Sequence, residues 1–284
     1  MPAFPLPPPA HEASLPPATV GAQGVRVRHG VPYNALPGIR PLELDLYLPP
    51  EAPAAPPVVV FLHGGGWRLG SRHSAGPLFA GAAPFVLLAS RGIAVAAVDY
   101  RLSGEALWPA QLDDARAAVR WLRARAGELG IDGDRIAAWG ESAGGHLAAL
   151  LGLTDASVNA VVAWYAPSDL AALAGDIGAD PMAADSREAQ LLGAPLPAVP
   201  ELTAQASPVT HVHPAAPRFL LLHGTDDHFV PCVQSERFRD ALSAAGVPVE
   251  LETYEGADHM WRGSATAAEK ALDRTADFLL QEAP

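Results

Sequence analysis

Basic charge and cysteine are both scarce in this chain. Its 284 residues hold 19 Lys+Arg against 31 Asp+Glu, a formal net charge of −12, with one lysine (Lys270) and one cysteine (Cys232). A lone cysteine excludes an intrachain disulfide and reads as a buried or idle thiol. A basic stripe able to neutralise phosphates is missing, which argues against a nucleic-acid partner and disfavours an anionic membrane surface. No apolar run approaches the ~18 residues of a spanning helix. The N-terminus, "MPAFPLPPPAHEASLPPATV", has neither a basic n-region nor an apolar h-region. It does not read as a secretion signal, so cytoplasmic residence is expected by default. The chain shows no internal repeat, no G-x-G-x-x-G fingerprint and no P-loop lysine after "HGGGW". "HVH" at 211–213 has no acidic or cysteine partner nearby and reads as loop, not metal site. Neither a metal nor a cofactor is expected.

What is present is enough apolar material for a large core: 49 % hydrophobic residues with 18 % charged. The length suits one large domain, alone or with an insertion. Residues 1–20 read as a proline-rich, extended and poorly packed arm. Residues 21–284 read as a single domain.

Within it, "VRVRHGVPY" and "LELDLYLP" alternate with period two and predict an antiparallel strand pair. "VVVFL" (58–62), "IAVAAVDY", "RIAAW", "NAVVAWYAP" and "RFLLLHG" are apolar runs of strands buried on both faces, and "VPVELETYEG" is the last strand. Between them lie helical stretches at about 77–90, 110–126, after Ser142, and at 233–245, the last stopped by Gly246. "TAAE" at Thr266 reads as a capping box opening a C-terminal helix. Periodicity fails over about 168–213, which reads as a cap insertion over the sheet. Strands alternating with helices predict an α/β architecture: a mostly parallel sheet of about eight strands with helices on both faces. Ligands in such sheets sit beyond the carboxyl ends of the strands.

"GESAG" (140–144) fits the G-x-S-x-G nucleophile elbow, placed between a strand and a helix. A serine hydroxyl there needs a base. His259, in "YEGADHMW" just past the last strand, is the candidate. An orienting carboxylate is expected next. "HGTDDHFVP" offers Asp226 and Asp227 at a strand end, and spacing alone does not separate them. "HGGG" (63–66) supplies glycine N–H groups for an oxyanion, with the N–H of Ala143 as a further donor. Trp67 and Trp261 flank the proposed oxyanion loop and base and are candidates for substrate contact.

Seven motifs in order carry a family resemblance: "LDLYLP", "HGGGWRLGS", "DYRL", "GESAGGHLA", "SPVTHV", "HGTDDHFVPCVQS" and "GADH". From about residue 42 to 282 the chain resembles α/β-hydrolase esterases of the hormone-sensitive-lipase-like group. The nearer likeness is to the branch of bifunctional feruloyl and acetyl-xylan esterases. The resemblance implies Asp227 as the acid, three residues after Gly224. It also implies Gly65, Gly66 and Ala143 as oxyanion donors and His63 as a structural hydrogen-bonder of that loop. Two departures stand out: Glu141 where the lipase-like group often has Asp, and His146 where it often has Asn. The expected activity is serine carboxylesterase, on short-acyl or aryl esters, through an acyl-enzyme on Ser142. The expected partner is a small ester substrate, and the expected state a monomer or homodimer. An amide hydrolase on the same fold, either an arylformamidase or a short-peptide peptidase, is the alternative. A catalytically silent binding module is the third reading.

Overall fold

The β-branched run Val58–Leu62 forms a central strand whose five side chains are all buried, and its alternate residues feed two separate cores. A computed structural model describes residues 10–50 and 54–281. In chain order the strands are β1 (Thr19–Val20), β2 (Arg26–Asn34), β3 (Leu42–Leu48), β4 (Val58–Leu62), β5 (Ala94–Val98), β6 (Ile136–Glu141), β7 (Val158–Trp164), β8 (Arg218–Gly224) and β9 (Val249–Tyr254). The helices are α1 (Ala83–Ser90), α2 (Ala110–Ala124), α3 (Ala126–Leu129), α4 (Ala143–Thr154), α5 (Leu170–Asp176), α6 (Arg187–Leu192), α7 (Pro200–Gln205), α8 (Val233–Ala244) and α9 (Ala267–Leu280).

These strands make one nine-stranded sheet, ordered β1-β2-β3-β5-β4-β6-β7-β8-β9. β1, β2 and β3 pair antiparallel, and β3 joins β5 antiparallel. All pairings from β5 across to β9 are parallel. Val58, Val60 and Leu62 point into a core with Leu112, Val119 and Leu122 of α2, the apolar α4, and Phe238 of α8. Val59 and Phe61 point into the opposite core with Phe85 and Leu88 of α1 and Leu272 and Leu279 of α9. Each such buried side chain contributes roughly 1.5–3 kcal/mol of transfer free energy. The period-two pattern thus dictates a three-layer arrangement, and the parallel strands all end on one rim.

Several boundaries differ from the sequence expectation. The helix expected at about 77–90 begins only at Ala83, because Gly81 takes φ +51° and Pro84 suits a first turn, not an interior. Thr266 precedes α9 but makes no side-chain cap hydrogen bond, so the capping box does not form. The sheet has one strand more than the eight or so expected, with β1 only two residues long. Residues 1–9 of the expected arm lie outside the described residues. The remainder is not loose. Trp121 Nε1 donates to the His11 carbonyl at 2.9 Å, and Arg125 Nη1 donates to the carbonyls of His11 and Ala13. Over 168–213 the chain folds into the short helices α5, α6 and α7 with two 3-10 turns. Pieces of six or seven residues are too brief to show a helical period.

Candidate active site

Ser142 stands where β6 becomes α4, with φ 51° and ψ −119°. That left-handed backbone costs a non-glycine residue free energy and persists only where its surroundings enforce it. Two glycines make the turn possible. A Cβ on Gly140 would lie 2.2 Å from the Gly144 carbonyl oxygen, and one on Gly144 would lie 1.9 Å from that of Leu62. The Ser142 N–H donates to the Trp164 carbonyl at 2.9 Å, tying the turn to β7.

His259 arrives from the loop after β9. The Asp258 carboxylate accepts its N–H at 2.7 Å, and both ring nitrogens are engaged. Nδ1 lies 2.7 Å from Asp227 Oδ2 and Nε2 lies 3.0 Å from Ser142 Oγ. A carboxylate only accepts, so Nδ1 carries the proton in the neutral ring. Nε2 then presents its lone pair to the Ser142 hydroxyl.

Asp227 and His259 are each 6 % exposed. Asp227 Oδ1 accepts the N–H groups of Phe229 and Val230. Burial alone would raise the Asp227 pKa, but contacts from His223 and His259 and the Val230 N–H outweigh it and hold the carboxyl far below its usual range. His223 is a residue that sequence reasoning passed over. Its Nε2 donates to the Val230 carbonyl at 2.7 Å and lies 3.4 Å from Asp227 Oδ2, so it backs the acid from beneath. Its place in "LLLHG" was the available signal.

The "HGGG" loop follows β4 on the same rim. Gly65 and Gly66 adopt φ +115° and +60°, and a Cβ on Gly65 would lie 2.3 Å from the Leu69 carbonyl oxygen. Gly64 N–H donates to Glu141 Oε1 at 3.3 Å. The N–H groups of Gly65, Gly66 and Ala143 have no acceptor among the described residues. His63 Nδ1 donates to the Gly64 carbonyl at 2.8 Å, and its ring stacks on Tyr100 at 4.3 Å. Arg72 anchors the end of this loop through ion pairs to Glu43, Asp45 and Asp99.

Glu141, beside the nucleophile candidate, points into the protein. Its Oε2 accepts from the Tyr165 hydroxyl at 2.7 Å. Burial raises its pKa, against the opposing effect of the Tyr165 and Gly64 hydrogen bonds.

A cavity of about 220 Å³ opens over Ser142 and His259. Its walls include Gly65, Gly66, Arg68, Tyr165, Arg187 and Phe229. Trp67 and Trp261, expected to touch substrate, are instead only 2 % and 1 % exposed and do not line it. Both have left-handed backbone, φ 57° and 65°, and both indoles are buried. Trp67 Nε1 donates to His146 Nδ1 at 3.3 Å, and Trp261 packs on Tyr165 at 4.8 Å. Trp261 thus backs the Tyr165 wall of the cavity.

Among the described residues no cluster of three or more His, Cys, Asp or Glu side chains is arranged to hold a metal ion. His211 and His213 each spend Nε2 on a backbone carbonyl. Burial pushes the Cys232 thiol up to about 11, with Glu236 and Asp227 adding to the effect. No helix among the described residues is long and apolar enough to cross a membrane.

A family model described as BD-FAE matches residues 44–242, a span that includes Ser142 and Asp227 and stops short of His259. Esterase LipC of Mycobacterium tuberculosis (strain ATCC 25618 / H37Rv) is 34 % identical over 219 residues, covering 71 % of this chain and 52 % of its own. Esterase LipQ of the same strain is 31 % identical over 267 residues, covering 88 % and 61 %. The chain thus spans about half to three-fifths of the length of these curated relatives. A truncated carbohydrate esterase from gut microbiota superposes with a TM-score of 0.76 at 27 % identity, over 89 % of this chain and 94 % of that one. The thermophilic esterase Est2 of the Planctomycetes species Thermogutta terrifontis gives 0.70 at 29 % identity, over 88 % and 90 %. A nine-stranded, mostly parallel sheet with a serine elbow after its central strands, and a family match over most of the chain, have one joint meaning: the protein is an α/β-hydrolase and belongs to the BD-FAE family.

Proposed function

We propose that the protein is a serine carboxylesterase, with Ser142 as nucleophile, His259 as base and acid, and Asp227 as the group orienting the imidazole. The observation that carries this reading is the relay from Asp227 Oδ2 through His259 to Ser142 Oγ, at 2.7 Å and 3.0 Å. His259 Nε2 takes the hydroxyl proton as Ser142 Oγ bonds to the ester carbonyl carbon. The resulting oxyanion is received by the unpaired N–H groups of Gly65, Gly66 and Ala143. Collapse breaks the carbonyl-carbon to alkoxy-oxygen bond, and His259 returns its proton to the departing alcohol. Water then repeats the sequence on the acyl-enzyme, freeing the acid and restoring Ser142.

Short acyl groups and aryl esters are the substrates in this reading. The 220 Å³ cavity supports the small size of the acyl group, and the esterase names of the relatives and structural neighbours support an ester over an amide. Residues 168–213 act as the cap, since Arg187 of that segment forms part of the cavity wall.

The test is a panel of 4-nitrophenyl esters of rising acyl length beside an N-formyl arylamine and an aminoacyl anilide. Turnover of short esters well above either amide is the expected result. Faster cleavage of an amide than of every ester would overturn the reading.

A further inference from the structure

Two cations, Arg187 and Arg68, stand in the wall of the Ser142 cavity. Among the described residues, Arg187 has neither an ion-pair partner nor a hydrogen-bond acceptor; its guanidinium lies over the Phe229 ring, 5.1 Å from the centroid. Arg68 is held by Gln190 Oε1, which accepts from Nη1 at 3.1 Å, while its buried Nε has no partner among the described residues. The two carboxylates of the site itself are already engaged. Both oxygens of Glu141 are taken by Tyr165 and Gly64, and those of Asp227 by His259 and the N–H groups of Phe229 and Val230.

A guanidinium drawn partly out of water without a counter-charge is costly, and stacking on an aromatic face offsets only part of that cost. The arrangement becomes favourable once a ligand brings the missing anion. A planar fork of N–H donors fits the two oxygens of a carboxylate. Position assigns the side. Phe229, which carries the Arg187 guanidinium, packs on the His259 ring at 5.5 Å. His259 is the group that protonates the departing alcohol.

We propose that the site prefers esters whose alcohol portion bears a carboxylate, with Arg187 as the residue that determines this preference and Arg68 as its supporting cation. The proposal rests on the esterase reading above. It deepens that reading by naming a substrate class.

The experiment compares 4-acetoxybenzoate with its neutral methyl ester, in wild type, Arg187→Met and Arg187→Lys. The ratio of kcat/KM, anionic over neutral, is expected to fall about tenfold or more in Arg187→Met, mainly through KM for the anion. Arg187→Lys should recover part of it. A ratio that shifts by less than roughly twofold in Arg187→Met would overturn the proposal.

A binding measurement on the wild-type protein guards against misfolded variants and needs no turnover. By calorimetry, 4-hydroxybenzoate should bind about tenfold more tightly than its methyl ester. Equal or weaker binding of the anion contradicts the proposal even if both esters are hydrolysed. Failure to hydrolyse either ester would instead count against the esterase reading.

Discussion

Asp227 Oδ2 lies 2.7 Å from His259 Nδ1, while the adjacent Asp226 spends its carboxylate on the Thr225 hydroxyl at 2.9 Å. Two neighbouring acids on one turn therefore have separate fates. Asp227→Asn is expected to lower kcat about 10⁴-fold, because an amide in that place favours the wrong imidazole tautomer. Asp226→Asn should change kcat by less than about threefold. Steady-state kinetics on one chromogenic ester compares the two. The opposite ranking would assign the orienting role to Asp226.

Glu141 links the elbow to the glycine loop after β4 through the Gly64 N–H. Glu141→Ala removes that acceptor and frees the loop. It is expected to lower kcat by about tenfold, with a smaller effect on KM. Glu141→Gln keeps an acceptor oxygen and should retain most activity. Equal losses in both variants would show that charge, not loop positioning, is what Glu141 supplies.

His146 is fully buried, donating through Nε2 to the Ala206 carbonyl at 2.6 Å and accepting at Nδ1 from Trp67. Burial lowers its pKa to about 4 from an ordinary 6.5. The unfolded chain therefore takes up this proton first as pH falls. The sign follows: stability attached to His146 is complete above about pH 6.5 and drains away down to about pH 4, by about 3 kcal/mol. Denaturant unfolding measured across that window should show stability rising with pH. The slope should be shallower in His146→Asn, whatever that variant's absolute stability. An unchanged slope would mean that His146 does not carry the effect.

Gly144→Ala would drive a Cβ to 1.9 Å from the Leu62 carbonyl oxygen, against strand backbone that has no room to move. A loss above about 4 kcal/mol, or failure to fold, is expected. Gly127→Ala, in helical α3 with no atom within 4 Å of the new Cβ, should stabilise by about 0.5–1 kcal/mol. Urea unfolding of the pair separates crowding at the elbow from a general effect of adding a methyl group.

The elbow was legible in sequence because its requirements are local. Gly140, Ser142 and Gly144 must sit between a strand and a helix, and the apolar run before the serine and the Leu147, Leu150 and Leu151 spacing after it announce both. His259 and the Asp226/Asp227 pair were legible as residues just beyond strand ends. Spacing did not choose between the two acids; the resemblance implied Asp227, and the turn after β8 supplies the direction in space that spacing lacks. Trp67 and Trp261 misled for a related reason. Adjacency to the glycine loop and to the base suggested exposure, but left-handed backbone at both positions accompanies buried indoles. Arg187 was invisible because its meaning depends on Phe229 and Gly66, which lie far from it in the chain. The short helices of 168–213 give no period from which to place it.

The central claim is that Ser142 is the nucleophile, and one measurement tests it most directly: short-ester hydrolysis by Ser142→Ala, with intact-mass detection of fluorophosphonate labelling on both proteins. Wild type should gain one covalent adduct, located at Ser142, and lose activity in step with labelling. Ser142→Ala should gain none and should hydrolyse the ester roughly a thousandfold more slowly or worse. Hydrolysis by Ser142→Ala at the wild-type rate would contradict the account.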